Sequence, residues 1–189
     1  MRQTHTRRLA LAGLFAAMSY VVFTFLQFKI SLPGGDATSV HLGNAVVVLG
    51  ALLLGGPLGG LAGAVGMGIG DLFDPIYVVY VPKTLALKLC IGLIAGFVAH
   101  TVGHIRERTE RREQLLWATA AAVAGLGFNC VFDPLVGYYY KLVLLGKPAA
   151  ELTLAWNVGA TLLNGVLSTV VAVLVYLALR PALEKAELI

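Results

Sequence analysis

Charged residues are missing from long stretches of this chain, and these stretches predict its helices. No Asp, Glu, Lys or Arg occurs in residues 9–28, 37–70, 89–105, 114–132 or 152–179. A helix that crosses a bilayer needs roughly 20 mostly apolar residues. The second stretch is long enough for two helices and is divided by the turn signal Gly55-Gly56-Pro57. We therefore predict one domain over residues 1–189, with six membrane helices near 9–28, 40–55, 57–73, 83–104, 114–137 and 154–179.

The apolar runs are continuous and rich in Leu, Ala, Gly and Val, whereas strands of a membrane barrel alternate apolar and polar residues. The chain is 58% hydrophobic and 13% charged, about half the charged fraction of a typical soluble domain. The first apolar run is too long for a signal peptide core and has no clear cleavage site. The predicted fold class is an all-α integral membrane protein with six transmembrane helices.

The basic residues indicate how the chain is oriented. If the N-terminus is cytoplasmic, nine of the 14 basic residues, including every arginine, fall on the cytoplasmic side of a six-helix topology. This is the positive-inside distribution. It predicts a multi-pass protein of a prokaryotic inner membrane with both termini cytoplasmic. It also argues against nucleic acid as a binding partner, which the net charge of +4 taken alone would suggest.

Polar residues inside the predicted helices fall almost entirely in their outer halves. A charged side chain within a membrane costs about 2.5–3.5 kcal/mol on insertion scales, so such residues need a reason. Residues with independent structural roles would be spread over both halves. The clustering therefore predicts a polar pocket that opens to the outside, with substrate-binding candidates Lys88, Asn129, Asp133, Trp156, Asn157, Asn164, Asn44, Lys83 and Thr84.

Helical spacing places several of these residues on shared faces. Thr84 and Lys88 are four residues apart, and so are Asn129 and Asp133. The last predicted helix carries a similar stripe at Asn157, Thr161 and Asn164. Aromatic walls with a few directed polar groups are typical of sites for small, flat, polar ligands.

Structural roles remain open for the same residues. Lys83 would serve equally well as an anchor at the membrane surface. Asn164 would serve as a hydrogen bond between helices. Lys88 and Asp133 would form a purely structural ion pair.

Sequence motifs of common enzymes are missing from the chain. It contains no Walker A sequence, no H-E-x-x-H and no G-x-S-x-G, and no intramembrane His stands at metal-ligand spacing from a second ligand. We therefore predict no catalytic residues, no metal site and no cofactor. The halves of the chain show no internal repeat, which argues against a self-contained secondary transporter. A binding protein that takes its energy from a partner fits better.

The first predicted helix carries small residues at Ala12 and Ala16, one turn apart. Such a face lets another helix approach closely. Its partner is either another helix of this chain or a helix of a second protein.

Four segments resemble a known family: Val40-His-Leu-Gly-Asn-Ala, Ala51-Leu-Leu-Leu-Gly-Gly-Pro-Leu-Gly-Gly, the stretch 66–71, and Val81-Pro-Lys-Thr-Leu-Ala-Leu-Lys. Together they are similar to the S component, the substrate-binding subunit, of energy-coupling factor (ECF) vitamin importers. The resemblance is strongest to the riboflavin/hydroxymethylpyrimidine-like branch and covers nearly the whole chain. Members of this branch often have Asp at the position of Asn44, so the resemblance does not assign one vitamin.

The resemblance implies a mechanism. An S component binds its vitamin from outside and docks through its first helix onto a transmembrane T component, which sits on two cytoplasmic ATPase subunits that use the ATP. In this chain Ala12 and Ala16 would form the docking face, and residues 29–40, with Pro33-Gly34-Gly35, would form a lid. The family pocket lies in the outer half of the bundle, where the polar cluster is predicted.

Other functions compete with this interpretation. An autonomous small-molecule transporter would move its substrate without partners, although the apolar inner halves offer no continuous polar path. An intramembrane enzyme would need a nucleophile and base at one depth, and a purely structural subunit would leave the outer cluster unexplained. Pyridoxine-like compounds, pyrimidine precursors and riboflavin all remain candidate substrates.

Overall fold

The computed structural model describes residues 5–146 and 150–186, and within these ranges the chain forms six α-helices and one β-hairpin. The all-α membrane fold is confirmed. Arg2 and Lys147, which entered the charge count, lie outside the described residues. In chain order the elements are α1 (His5–Phe25), β1 (Gln27–Leu32), β2 (Asp36–His41), α2 (Gly43–Leu54), α3 (Gly56–Leu72), α4 (Val81–Gly96), α5 (Arg111–Tyr139) and α6 (Ala150–Lys185).

Four helical segments of the described chain are long and apolar enough to cross a membrane. They are α1, α6, and α4 and α5 with the π-helical turns that extend them to Val102 and Leu144. The 12 residues of α2 span only about 18 Å. Every residue of α2 is buried and all but Asn44 are apolar or glycine, so this helix lies at the centre of the bundle.

Glycines bring α3 close to its neighbours. A Cβ at Gly92 of α4 would lie 2.2 Å from the Cα of Gly60, and one at Gly66 would lie 2.2 Å from the carbonyl oxygen of Ala16. Only a residue without a side chain permits such approaches. The small residues of α3 therefore pack against α4 and α1 inside the protein.

The hairpin is where the predicted helix boundaries were wrong. Residues 27–28 and 40–41, predicted as helical, belong to β1 and β2, which pair antiparallel from Gln27 with His41 to Leu32 with Asp36. The turn is Pro33-Gly34-Gly35, whose two glycines have φ of 79° and 68°. This left-handed region costs glycine little. A stretch without charged residues is apolar, but this does not tell whether its last residues continue the helix or belong to a strand.

The end of the bundle opposite the hairpin is held by arginines. Arg180 is buried and donates hydrogen bonds to the carbonyl oxygens of Ile105, Arg106 and Arg108, at 2.8, 3.1 and 3.1 Å. It thereby fixes the loop between α4 and α5 to α6. The last helix was predicted to end at residue 179, before Arg180, but α6 continues to Lys185. A charged residue ends an apolar run without ending a helix.

Candidate functional site

A polar cavity lies between the hairpin, the end of α3, the first turns of α4, the last turns of α5 and the first half of α6. Its volume is about 110 Å³, and its mouth is open to the surroundings. Aromatic rings of Phe23, Tyr77 and Tyr80 line one part of it. The polar residues in the lining are Thr38, Ser39, His41, Asp71, Lys83, Thr84, Lys88, Asp133, Lys141, Asn157, Thr161 and Asn164.

Two lysines of α4 share one carboxylate of α5. Lys83 and Lys88 both donate to Asp133, the latter at 3.2 Å. Lys88 also donates to Oδ1 of Asn129 at 3.2 Å, and Asn129 donates to Asp133 at 3.5 Å. Lys88 and Asn129 are buried. This group, which we call the inner cluster, carries two ammonium groups for one carboxylate, so it has positive charge to offer an electron-rich atom of a ligand.

Asp71 lies near the inner cluster on α3. Its Oδ2 accepts a hydrogen bond of 2.5 Å from Thr84, one helical turn before Lys88. Both Asp71 and Thr84 are buried and line the cavity. The cavity wall formed by α3 and α4 thus presents a carboxylate beside the lysines, which balances part of their charge.

The hairpin is attached to α6 through its backbone. Oδ1 of Asn164 accepts a hydrogen bond from the amide of His41 at 2.8 Å, and Nδ2 of Asn164 donates to the carbonyl oxygen of Ser39 at 2.9 Å. One side-chain amide thereby binds both polar groups of the strand edge. His41 also packs edge-on against Phe23, with ring centroids 4.9 Å apart.

A second charged group closes the cavity under the hairpin. Lys141 forms a salt bridge with Asp36 and donates to Oγ1 of Thr153 at 3.3 Å. The hydroxyl of Tyr80 donates to Asp36 at 3.0 Å. Asp36, Tyr80, Lys141 and Thr153 are all buried. This group, the outer cluster, joins the first residue of β2 to the residue before α4, to the π-helical turn after α5 and to α6.

A more exposed salt bridge joins the hairpin to the segment between α3 and α4. Lys29 of β1 pairs with Asp74 and lies 5.2 Å from the ring centroid of Tyr77. Burial acts to raise the pKa of Asp74, but hydrogen bonds from Lys29 and from the amides of Ile76 and Tyr77 outweigh it, so this pKa lies below its ordinary value.

The structure brings most of the candidate site residues together. Lys83, Thr84, Lys88, Asp133, Asn157 and Asn164 line the cavity, and Asn129 contacts its lining through Lys88. Trp156 does not join them, because it is 55% exposed on a different face of α6, in an apolar groove with Ile30 and Val40. Asn44 is buried in the first turn of α2 and is not part of the lining.

The small residues of α1 fall on two sides. Ala12 and Ala16 are half-buried and pack against the core, where the carbonyl of Ala16 meets Gly66. Gly13 and Ala17 are exposed. A docking role for Ala12 and Ala16 remains a prediction.

Sequence reasoning missed the outer cluster and His41. Asp36 and Lys141 are 105 residues apart and meet only because the hairpin folds over the cavity. Pro33-Gly34-Gly35 was the available signal, since a turn between β-branched segments predicts a hairpin. Within residues 5–146 and 150–186, no group of three His, Cys, Asp or Glu side chains is placed to hold a metal ion.

A model of one protein family matches almost the entire sequence. The family is described as "ECF-type riboflavin transporter, S component", and the match covers residues 3–181. Comparisons with curated proteins and with solved structures gave no match.

Proposed function

The chain belongs to the S-component family of ECF-type riboflavin transporters, and we propose that its polar cavity captures a water-soluble heteroaromatic B vitamin or precursor from outside the cell. The family makes the chain a vitamin-specific transporter subunit rather than an enzyme. The observation that supports the proposed site is the meeting of the inner cluster, the outer cluster and Asn164 around one cavity.

The charges of the cavity favour a ligand with no net charge. Three lysines, Lys83, Lys88 and Lys141, are balanced by Asp71, Asp133 and Asp36. A singly charged ligand would leave this buried set unbalanced, which is costly in a low-dielectric site. A flat neutral or zwitterionic ring would leave the set balanced, with the aromatic residues and the ammonium groups as its contacts. Riboflavin, pyridoxine-like compounds and hydroxymethylpyrimidine-like compounds meet this description.

Binding to the purified chain tests this proposal. Isothermal titration with riboflavin, pyridoxine and hydroxymethylpyrimidine should give saturable 1:1 binding of at least one compound without ATP. Lys88→Met should abolish most of that binding, whereas Trp156→Phe, on the lipid-facing side of α6, should not. Riboflavin is the first probe because of the family match. Binding of none of the three compounds would contradict the proposal.

We further propose that both termini are cytoplasmic and that uptake requires partners: a T component and two ATPase subunits, which alone would use ATP. The arginines at the end opposite the cavity support this orientation. The cavity then faces outside, where the vitamin is captured. An autonomous transporter would take up vitamin when reconstituted alone in liposomes, whereas this chain should do so only with the partner subunits.

The side of α1 that faces away from the other helices is the proposed docking face. A Cβ at Gly13 would meet no atom within 4 Å, so a large residue there leaves the fold undisturbed. Gly13→Phe should therefore keep vitamin binding and lose uptake in cells that contain the partners. Gly127→Phe is the matched control, since Gly127 also has open space around its Cβ position but lies on α5. Equal uptake by both variants would contradict docking at this face.

A further inference from the structure

A second groove lies at the arginine-rich end of the bundle, away from the polar cavity. It is formed by the turn between α2 and α3, the last turns of α4 and the loop that follows. Its volume is about 720 Å³. Its lining includes Arg8, Arg106, His100, Leu58, Leu93 and Phe97.

The groove carries two arginines that lack a carboxylate partner among the described residues. Arg8 donates to the carbonyl oxygen of Leu54 at 3.4 Å, and Arg106 donates to that of Leu53 at 3.2 Å. Each hydrogen bond uses one of the five N–H groups of a guanidinium. Both side chains are exposed in the groove. The bonds to α2 position the two guanidinium groups and leave most of their donors for another molecule.

Glu107 is the acidic residue in the lining of the groove. It lies 3.8 Å from Nδ1 of His104, and among the described residues no ion pair joins it to Arg8 or Arg106. Partial desolvation of the guanidinium group in the groove is the main cause that lowers the pKa of Arg106, and the positive charge of Arg8 lowers it further. Two like charges that repel each other in one groove form a site for an anion.

The walls of the groove identify the kind of anion. Leu93 and Phe97 are exposed on the lipid-facing side of α4, directly beside the basic residues. A soluble phosphate would use the arginines and leave these apolar walls empty. A phospholipid uses both, because its headgroup is anionic and its acyl chains are apolar. Basic pockets between transmembrane helices near the cytoplasmic surface bind such headgroups.

We propose that this groove is a binding site for an anionic phospholipid, whose phosphate contacts Arg8 and Arg106 and whose acyl chain lies along Leu93 and Phe97. This site is independent of the vitamin cavity. It would fix the contact between α1, the α2–α3 turn and α4 while the protein is embedded in the membrane.

Native mass spectrometry of the purified chain, titrated with phosphatidylglycerol or phosphatidylcholine, tests the site. The double variant Arg8→Gln/Arg106→Gln should bind phosphatidylglycerol at least about tenfold more weakly than the unchanged chain. The matched control Arg111→Gln/Arg112→Gln makes the same charge change in the first turn of α5, outside the groove, and should bind normally. Arg8→Lys/Arg106→Lys keeps the charge and should keep most of the binding, which guards against a folding defect in the glutamine variant.

Several results would overturn the proposal. Equal affinity of both double glutamine variants would show that the groove arginines do not bind lipid. If phosphatidylcholine were bound as tightly as phosphatidylglycerol, the anionic charge of the lipid would play no part in binding. Binding of glycerol 3-phosphate as tight as that of the lipid would indicate a soluble anion site. Normal lipid binding by the groove variant, together with loss of assembly with the partner subunits, would assign the groove to a protein partner. Vitamin binding, measured on the same variants, should not change, so failure of this site and failure of the vitamin cavity are distinguishable.

Discussion

The two ends of this bundle use different cations for different purposes. At the end with the hairpin, the described lysines pair with carboxylates: Lys29 with Asp74, Lys83 and Lys88 with Asp133, and Lys141 with Asp36. At the opposite end, arginines donate mainly to backbone carbonyl oxygens. Arg180 binds three of them, and Arg8 and Arg106 bind the end of α2.

This difference separates a structural end from the proposed binding end. A guanidinium group has several donors in a fixed plane and holds several carbonyl groups at once, whereas an ammonium group is a compact charge on a flexible chain. Arginine bonds to the backbone therefore fix loops and helix ends. Lysine–carboxylate pairs around a cavity are able to rearrange when a ligand offers a new acceptor. Variants at the two ends should accordingly change different properties.

The largest effect on stability is expected from Arg180→Ala. This change leaves the carbonyl groups of Ile105, Arg106 and Arg108 without their buried donor, which should lower the free energy of unfolding by about 3 kcal/mol. Arg180→Lys should recover only part of this loss, because one ammonium group does not reach all three carbonyls. Thermal unfolding in detergent measures the change. An unaltered melting temperature for Arg180→Ala would show that the hydrogen bonds of Arg180 do not stabilise the fold.

The largest effect on binding is expected from Lys88→Met. We expect about 100-fold weaker vitamin binding, since a charged hydrogen bond in a buried site contributes up to about 3 kcal/mol. Lys83→Met is the matched variant, because each substitution leaves Asp133 with one lysine. The more exposed Lys83 should matter less, by roughly tenfold. Titration calorimetry gives both values, and equal, near-normal affinities would remove the inner cluster from the site.

The cavity residues that lie on helices could be predicted from the sequence. The predicted faces Thr84/Lys88 and Asn129/Asp133 both reach the cavity region because a helix fixes the direction of residues four apart. The same rule explains Trp156, which precedes Asn157 by one residue and so points about 100° away from it around α6. The error was to group these two residues by depth without considering direction.

Contacts between distant elements were not accessible in this way. Asp36 reaches Lys141, and Asn164 reaches the backbone of β2, only after the hairpin has folded over the cavity. An apolar stretch shows that a segment is buried or in lipid. It does not show which strands pair or in which register, because the turn between them decides this. The sequence therefore predicted the helices and missed the hairpin, together with the residues that the hairpin brings to the site.

A moderate effect is expected where the hairpin is attached to α6. Asn164→Ala removes two hydrogen bonds to the backbone of β2, which should weaken vitamin binding by roughly tenfold through faster dissociation. Amide hydrogen exchange in residues 27–41 should also accelerate. Asn157→Ala is the control, because Asn157 lines the cavity while the described hydrogen bonds to the hairpin backbone come from Asn164. Identical exchange in both variants would mean that Asn164 does not hold the hairpin.

The smallest effect is expected at the pair of Lys29 and Asp74, where Lys29 is partly exposed. Such pairs contribute about 0.2–1 kcal/mol, so Lys29→Met should weaken vitamin binding no more than about fivefold, and added salt should reduce the difference. The pKa of Asp74 is lowered in the folded protein, so its contribution is complete above the ordinary carboxyl value of 3.8 and is lost as the pH falls through the lower folded value. The ratio of affinities between the unchanged chain and Lys29→Met should therefore stay constant from about pH 5 to about pH 8. A ratio that varies within this range would show that another titrating group, rather than Asp74, controls the attachment of the hairpin.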